Sequence, residues 1–386
     1  MSHFIESGFT SINKFGEELC GDNVNSVTIG DYTTLVLADG LGSGVKANIL
    51  STLTSKILTT MVSNGIEMKD CMETIIESLP VCKERGVAYS TFSVIHINNQ
   101  GNGYLFEFDN PEAVLMRDGK CVDLPFEQQR IFGRVINIAR LNLSEDDVLL
   151  VMSDGTIHAG IGMLMNFGWE REEIKKYLEE MYKNTMSARA VSCLLCGACN
   201  DLYMDKPGDD TTVAAIKVRA PLEVSLMIGP PIDKEKDDFY INEFLRSDGK
   251  KIVCGGTSSQ IVAKHLNKEV TTTFDFVDKD IPPIGYIDGI DLTTEGVLTM
   301  RKVLELSEKY MSTNDLTPKT YTKKDGASLI ANMLFEEATK IRFFVGQSVN
   351  IAHQGLPIDT TMKLKLVEKL TQNLTAMGKE IEVNYD

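Results

Sequence analysis

Apolar and polar positions follow two rhythms along this chain, and the change between them divides it. Residues 24–29, 34–38 and 90–97 are apolar continuously or at every second position, which is the period of a strand. Residues 103–108, 113–116, 135–141, 147–152 and 213–218 continue the series, with turn residues such as Arg117-Asp118-Gly119 about every ten positions. Such density predicts stacked antiparallel sheets, not a parallel βαβ core. Helical spacing marks a pair of segments between Lys46 and Leu79, a third over 170–184, and a small-residue helix around Ala190 to Cys199. From Pro221 the rhythm becomes an alternation of strand (223–228), helix (233–245), strand (251–254) and a helix through Leu266. It continues through 288–310, 326–339, 341–345, 360–377 and 380–384, so 221–386 is read as a second, smaller α/β domain behind a first domain of residues 1–220.

Composition changes this picture little. A length of 386 residues suits two domains, and 43% hydrophobic residues can fill them. With 39 basic and 55 acidic residues the net charge is -16, which argues against nucleic acid or an anionic membrane surface as partner. No run of eighteen apolar residues occurs, and Met1 to Glu6 lacks a basic region followed by an apolar one, so a cytoplasmic protein is expected. Eight cysteines in a chain of this size read as reduced thiols. Cys193, Cys196 and Cys199 have the spacing of three iron–sulfur ligands, but no Cys-Pro follows to supply a fourth, and packed thiols on a helix face explain them as well.

Chemistry enters at the strand ends. The apolar run 34–38 stops at Asp39-Gly40-Leu41-Gly42-Ser43-Gly44 before a helix. A carboxylate there is poorly solvated, and the glycines let backbone approach whatever it holds, which favours a cation. A plain strand-to-helix turn and a dinucleotide turn are the other readings. The spacing is Gly-x-Gly-x-Gly, and an acid precedes the first glycine where a pyrophosphate would be repelled. Asp154 ends a second apolar strand in the same way, Asp209 and Asp210 open the strand 213–218, and Asp22 precedes the strand 24–29. Asp31 has a local explanation as a turn residue; Asp22 has none. In antiparallel neighbours the end of one strand lies beside the start of the next, so these acids can meet at one edge. With no cation near them they would repel one another, and hard divalent ions are the usual remedy.

Gly21-Asp22, Ala38 to Gly44, Ser153-Asp154-Gly155 and Gly208 to Val213, in this order, resemble the bacterial metal-dependent serine/threonine phosphatases related to stage II sporulation protein E, within the protein phosphatase 2C family. The resemblance covers about residues 10 to 219 and implies an α+β fold built as an αββα sandwich. It implies a centre of two Mn2+ or Mg2+ ions and a phosphoserine or phosphothreonine protein as substrate. By this resemblance Asp22, Asp39, Asp154 and Asp209 are the catalytic acids and metal ligands, Gly40 lends a carbonyl, and Asp210 is a further ligand position. The helix pair between Lys46 and Leu79 matches a segment that completes or breaks the site in relatives. The chain departs from the pattern at His158, where relatives often carry an acid; it reads as a surface or packed imidazole, or as a proton shuttle. No residue near the N-terminus matches the phosphate-binding arginine of the eukaryotic branch. No Ser-His-Asp or Cys-Arg set suggests a covalent phosphoenzyme, so hydrolysis by metal-activated water is expected.

In the second domain, Gly255-Gly256-Thr257-Ser258-Ser259 precedes a helix and presents amides and hydroxyls suited to an anion, or simply to capping. Regulation or homodimer formation is the expectation for this region, without a residue to carry it. A binding module that keeps the fold and senses a ligand through the second domain is the rival to an enzyme.

Overall fold

The computed structural model describes residues 2–78, 90–233, 235, 237–272, 284–311, 325–348 and 359–385, in two units, Met1–Ala220 and Pro221–Asp386. In the first unit the order is β1 (Phe4–Ile12), β2 (Asp22–Ile29), β3 (Tyr32–Gly40), α1 (Gly44–Ser63), α2 (Met68–Ser78), β4 (Ser90–Asn98), β5 (Asn102–Phe108), β6 (Val114–Arg117), β7 (Lys120–Val122), β8 (Phe126–Ile131), β9 (Arg134–Asn142), β10 (Val148–Met152), α3 (Asp154–Ile157), α4 (Arg171–Met181), α5 (Ala188–Leu202) and β11 (Thr211–Arg219). Residue 79, the expected end of the second helix, lies outside the described residues.

These strands make two antiparallel sheets, β1-β11-β10-β6-β7 and β2-β3-β4-β5-β9-β8. Alternate residues of both turn inward to one core: Leu35, Leu37, Ile95, Ile97 and Leu105 from one sheet meet Leu115, Leu149, Val151, Ala214 and Ile216 from the other. On the outer face of the second sheet, Val36, Ala38, Phe92 and Val94 are covered by Leu58 and Val62 of α1 and by Cys71, Met72 and Ile75 of α2. On the outer face of the first sheet, α5 packs over β1 and β11. The result is an αββα sandwich, as the resemblance implies. Cys193, Cys196 and Cys199 are all buried on α5. The Cys196 thiol donates to Thr10 O at 3.2 Å and Cys193 Sγ lies 3.0 Å from Thr10 Oγ1, so they serve as packing thiols between α5 and β1.

The second unit contains β12 (Glu223–Ile228), α6 (Asp237–Arg246), β13 (Lys250–Cys254), α7 (Gly256–Leu266), β14 (Thr271–Thr272), β15 (Gly285–Tyr286), β16 (Leu292–Thr294), α8 (Val297–Met311), α9 (Gly326–Ala331), β17 (Lys340–Val345), α10 (Asp359–Ala376) and β18 (Glu380–Tyr385). Its sheet runs β14-β15-β16-β13-β12-β17-β18, with the five strands from β16 to β18 parallel. Both faces are covered: α6 and α7 pack on Met227, Val253 and Phe344, while α8, α9 and α10 pack on Val224, Leu226 and Ile228. This is the doubly wound arrangement that apolar runs at every parallel strand demand. The span 288–310, read as one stretch of the alternation, holds both the short β16 and α8. A strand of three residues leaves too little period to separate it in sequence.

Candidate metal centre

Strand register creates the first half of the site. β2 and β3 pair so that Asp22 stands directly opposite Asp39, and Gly40 N–H donates to Gly21 O at 3.1 Å just beyond them. Residues opposite each other in an antiparallel pair point to the same face, so the two carboxylates stand side by side. Asp22 is the first residue of the strand itself rather than a residue before it. The second half comes from the other sheet. Met152, the last residue of β10, pairs with Val213 of β11, and Thr212 N–H donates to Ser153 Oγ at 2.8 Å. That pairing holds Asp154, which opens α3, next to Asp209 and Asp210, which precede β11.

The electrostatics show that the acids share one place. Burial raises the Asp39 carboxyl well above the usual carboxylate range, and the charges of Asp22, Asp154 and Asp209 push it further. Asp22 is raised chiefly by burial, with Asp210 and Asp154 adding to it and the hydroxyls of Ser153 and Thr212 pulling the other way. Asp154 is raised by burial and by Asp209, and His158 opposes this. Asp210 is raised by burial, while the backbone N–H of Lys14, 2.9 Å from its Oδ1, lowers it. Metal-free, Asp22, Asp39, Asp154 and Asp210 therefore resist ionising.

Asp22 is 4% exposed, and although the Ser153 and Thr212 hydroxyls stand near enough to lower its pKa, neither carboxylate oxygen receives a well-formed hydrogen bond among the described residues. A buried carboxylate without donors costs several kcal/mol unless a cation faces it, at roughly 1–3 kcal/mol or more per unmade bond. All-oxygen donors of this kind suit hard divalent ions. The residues present thus fit the expected metals: Asp22, Asp39, Asp154, Asp209 and Asp210 lie together. Gly40, the expected carbonyl donor, sits in β3 opposite Ser90.

The glycine loop fixes α1 against this site. A Cβ on Gly40 would stand 2.1 Å from Ala47 O, so only glycine lets the helix come this close to the strand. Asn48 Nδ2 donates to Cys20 O at 2.8 Å and Ser43 Oγ donates to Glu17 Oε1 at 3.1 Å, which ties the start of α1 to the segment leading into β2. The helix begins two residues earlier than the expected Lys46.

Two features differ from the sequence reading. The acids are not without a cation, because Lys14 Nζ lies 3.8 Å from Asp209 Oδ1 at the rim, with both groups partly exposed. Lys14 carries no local signal in sequence; its distance before Asp22 is spanned by a loop whose path only the fold reveals. His158 is placed at the cluster, with its Nδ1 3.9 Å from Asp154 Oδ2. The Gly255 to Ser258 turn belongs to the second unit, at the end of β13 and the start of α7. Gly255 adopts φ +115°, open to glycine alone, and Ser258 Oγ is buried with no hydrogen-bond partner among the described residues.

Residues 29–219 match the family model for Stage II sporulation protein E (SpoIIE), a span that begins after Asp22. Stage II sporulation protein E of Bacillus subtilis (strain 168) is 22% identical over 224 residues, which are 56% of this chain and 26% of that protein. The chain therefore spans about a quarter of the length of the curated relative it matches. Among solved structures, the PP2C phosphatase domain with a fragment of the regulatory domain of SpoIIE from Bacillus subtilis superposes with a TM-score of 0.49 at 21% identity, over 56% of this chain and 64% of that one. RsbX in complex with magnesium superposes with a TM-score of 0.40 at 18% identity, over 56% and 96%. By these matches the first unit is related to the PP2C-type phosphatases. Within that class, residues 29–219 are similar to the SpoIIE family.

Proposed function

We propose that the first unit hydrolyses phosphoserine or phosphothreonine in a regulatory protein, using two Mn2+ or Mg2+ ions held by Asp22, Asp39, Asp154, Asp209, Asp210 and the Gly40 carbonyl. The observation that carries this reading is the buried, unpartnered Asp22 facing Asp39 across the β2–β3 ladder, with three more acids beside them. When bound, such ions make hydroxide available near neutral pH and offset charge on phosphoryl oxygens. The chain supplies the rest. Buried Asp22 and half-buried Asp39 form the floor, Asp154 and Asp209 the partly exposed wall, and Lys14 at the rim meets the remaining charge of an incoming phosphoryl group. Ser153 and Thr212 hold the two strand ends in register, so the carboxylates keep their spacing.

Turnover of para-nitrophenyl phosphate and of a phosphoserine peptide with added Mn2+ or Mg2+ tests the reading. The Asp39→Asn variant is expected to lose at least about 100-fold in rate, since a direct ligand and its charge are removed. Silence of the wild-type protein with every divalent ion would instead favour a binding module built on the same fold.

A further inference from the structure

We infer that His158 is a nitrogen ligand of the outer cation position and that it tilts this position from Mg2+ towards a borderline first-row ion such as Mn2+, Fe2+ or Co2+. The inference rests on the metal-dependent reading above and concerns which ion that site selects. Donor atoms of Asp154, His158 and Asp209 all lie within 4.8 Å of one another. An ion with donors about 2.1 Å away spans at most about 4.2 Å between two of them, so the 3.9 Å between His158 Nδ1 and Asp154 Oδ2 already fits one ion. Asp209 completes the triangle within 4.8 Å of both.

Local structure explains why the imidazole stands there. α3 is a single turn, and His158 is its last-turn cap, with its N–H on Asp154 O at 3.0 Å. Positions four apart on one helical turn share a face, which brings the ring over the carboxylate. The turn is anchored on both sides: Tyr203 Oη donates to Gly155 O at 2.8 Å, and Trp169 N–H donates to Ile157 O at 2.9 Å. A Cβ on Gly155 would stand 2.1 Å from Asp210 O, so the turn also presses against the start of β11. Its backbone is thereby set before any ion arrives. His158 and Asp154 are 47% and 44% exposed, so this face is open to solvent, in contrast to the floor at Asp22. Both carboxylate oxygens of Asp22, 4% exposed, lack a hydrogen-bond partner among the described residues, which is separate ground for a cation at this cluster.

Carboxylates and carbonyls alone suit Mg2+, Ca2+ and Mn2+, whereas imidazole adds affinity along the series from Mn2+ upward and little for Mg2+. A neutral ring in place of an acid also lowers the negative charge around the site, which weakens Mg2+ binding more than that of an ion with nitrogen affinity.

The test uses the full chain loaded with Mn2+. Pulsed EPR should show coupling of the bound Mn2+ to a directly bonded nitrogen, and His158→Ala should remove it. Calorimetric titration with Mn2+ and Mg2+ should show the ratio of the two affinities falling by about tenfold or more in His158→Ala, with His158→Asp regaining Mg2+ binding. Both changes are at an exposed position, and unchanged far-UV circular dichroism would establish that the variants are folded. Bound Mn2+ without nitrogen coupling, or an unchanged Mn2+/Mg2+ ratio in both variants, would overturn the inference while leaving metal-dependent hydrolysis intact. Failure of the wild-type protein to bind any of these ions would overturn both.

Discussion

At the scale of single residues, Glu107 shows how a buried acid outside the aspartate cluster shapes stability. It is 1% exposed, its Oε1 accepts the Ala113 N–H at 2.9 Å, and its Oε2 has no partner among the described residues. Burial raises its pKa to about 8, with Glu112 adding to the rise and the Ala113 N–H and Arg171 opposing it. The folded state therefore holds this proton more tightly than the unfolded chain, whose glutamate titrates near about 4.3. Its stabilising contribution is complete below that value and is lost as pH rises through about 8. The urea midpoint should fall between pH 5 and pH 9 more steeply for the wild type than for Glu107→Gln, whose amide stays neutral. Parallel slopes would contradict this. Asp147 illustrates the opposite need: it is 2% exposed and takes three hydrogen bonds from the Arg117 guanidinium, the shortest at 2.6 Å. Arg117→Ala leaves it only the Ser144 N–H, and a loss of about 2 kcal/mol in chemical denaturation is expected.

At the scale of elements, the close approach of α1 to β3 makes a sharper demand than any side chain on the helix. Gly40→Ala puts a methyl group into the carbonyl of Ala47, and either the helix shifts or the strand does. Mn2+ affinity measured by calorimetry should drop about tenfold or more, because Asp39 and the Gly40 carbonyl move with the strand. A full-affinity variant would show that the helix yields freely. How far such features can be read from sequence depends on position in the sheet. Central strands such as β3, with its run Leu35 to Ala38, and β10 stand out, whereas β1 and β8, unrecognised in the pattern, are edge strands of their sheets. β8 carries Glu127, Gln128, Gln129 and Arg130 on exposed positions, so nothing but pairing with β9 marks it. Each acid at a strand end is visible alone. That Asp22 faces Asp39 is a matter of register, that Lys14 returns to Asp209 is a matter of loop path, and neither is written in local spacing.

At the scale of the whole molecule, two units with separate cores should melt as two transitions, and a divalent ion should act on one. In scanning calorimetry Mn2+ should raise the transition of the first unit and leave that of the second in place. Asp39→Asn should do two things together: reduce the Mn2+ response, and raise the metal-free transition by a few degrees, since the amide removes the cost of protonating a buried carboxyl among acids and about 1 kcal/mol moves a domain of this size by roughly 2–4 °C. A variant that melts lower without metal would show that the cluster is not strained.

β11 is the last strand of its unit, yet it lies between β1 and β10 and brings Asp209 and Asp210 with it. During synthesis, then, the ribosome must deliver nearly the whole unit before the opening strand finds its neighbour. Until that moment the nascent chain displays Asp22 and Asp39 without Asp209 and Asp210, so the acid cluster is completed only as the unit closes.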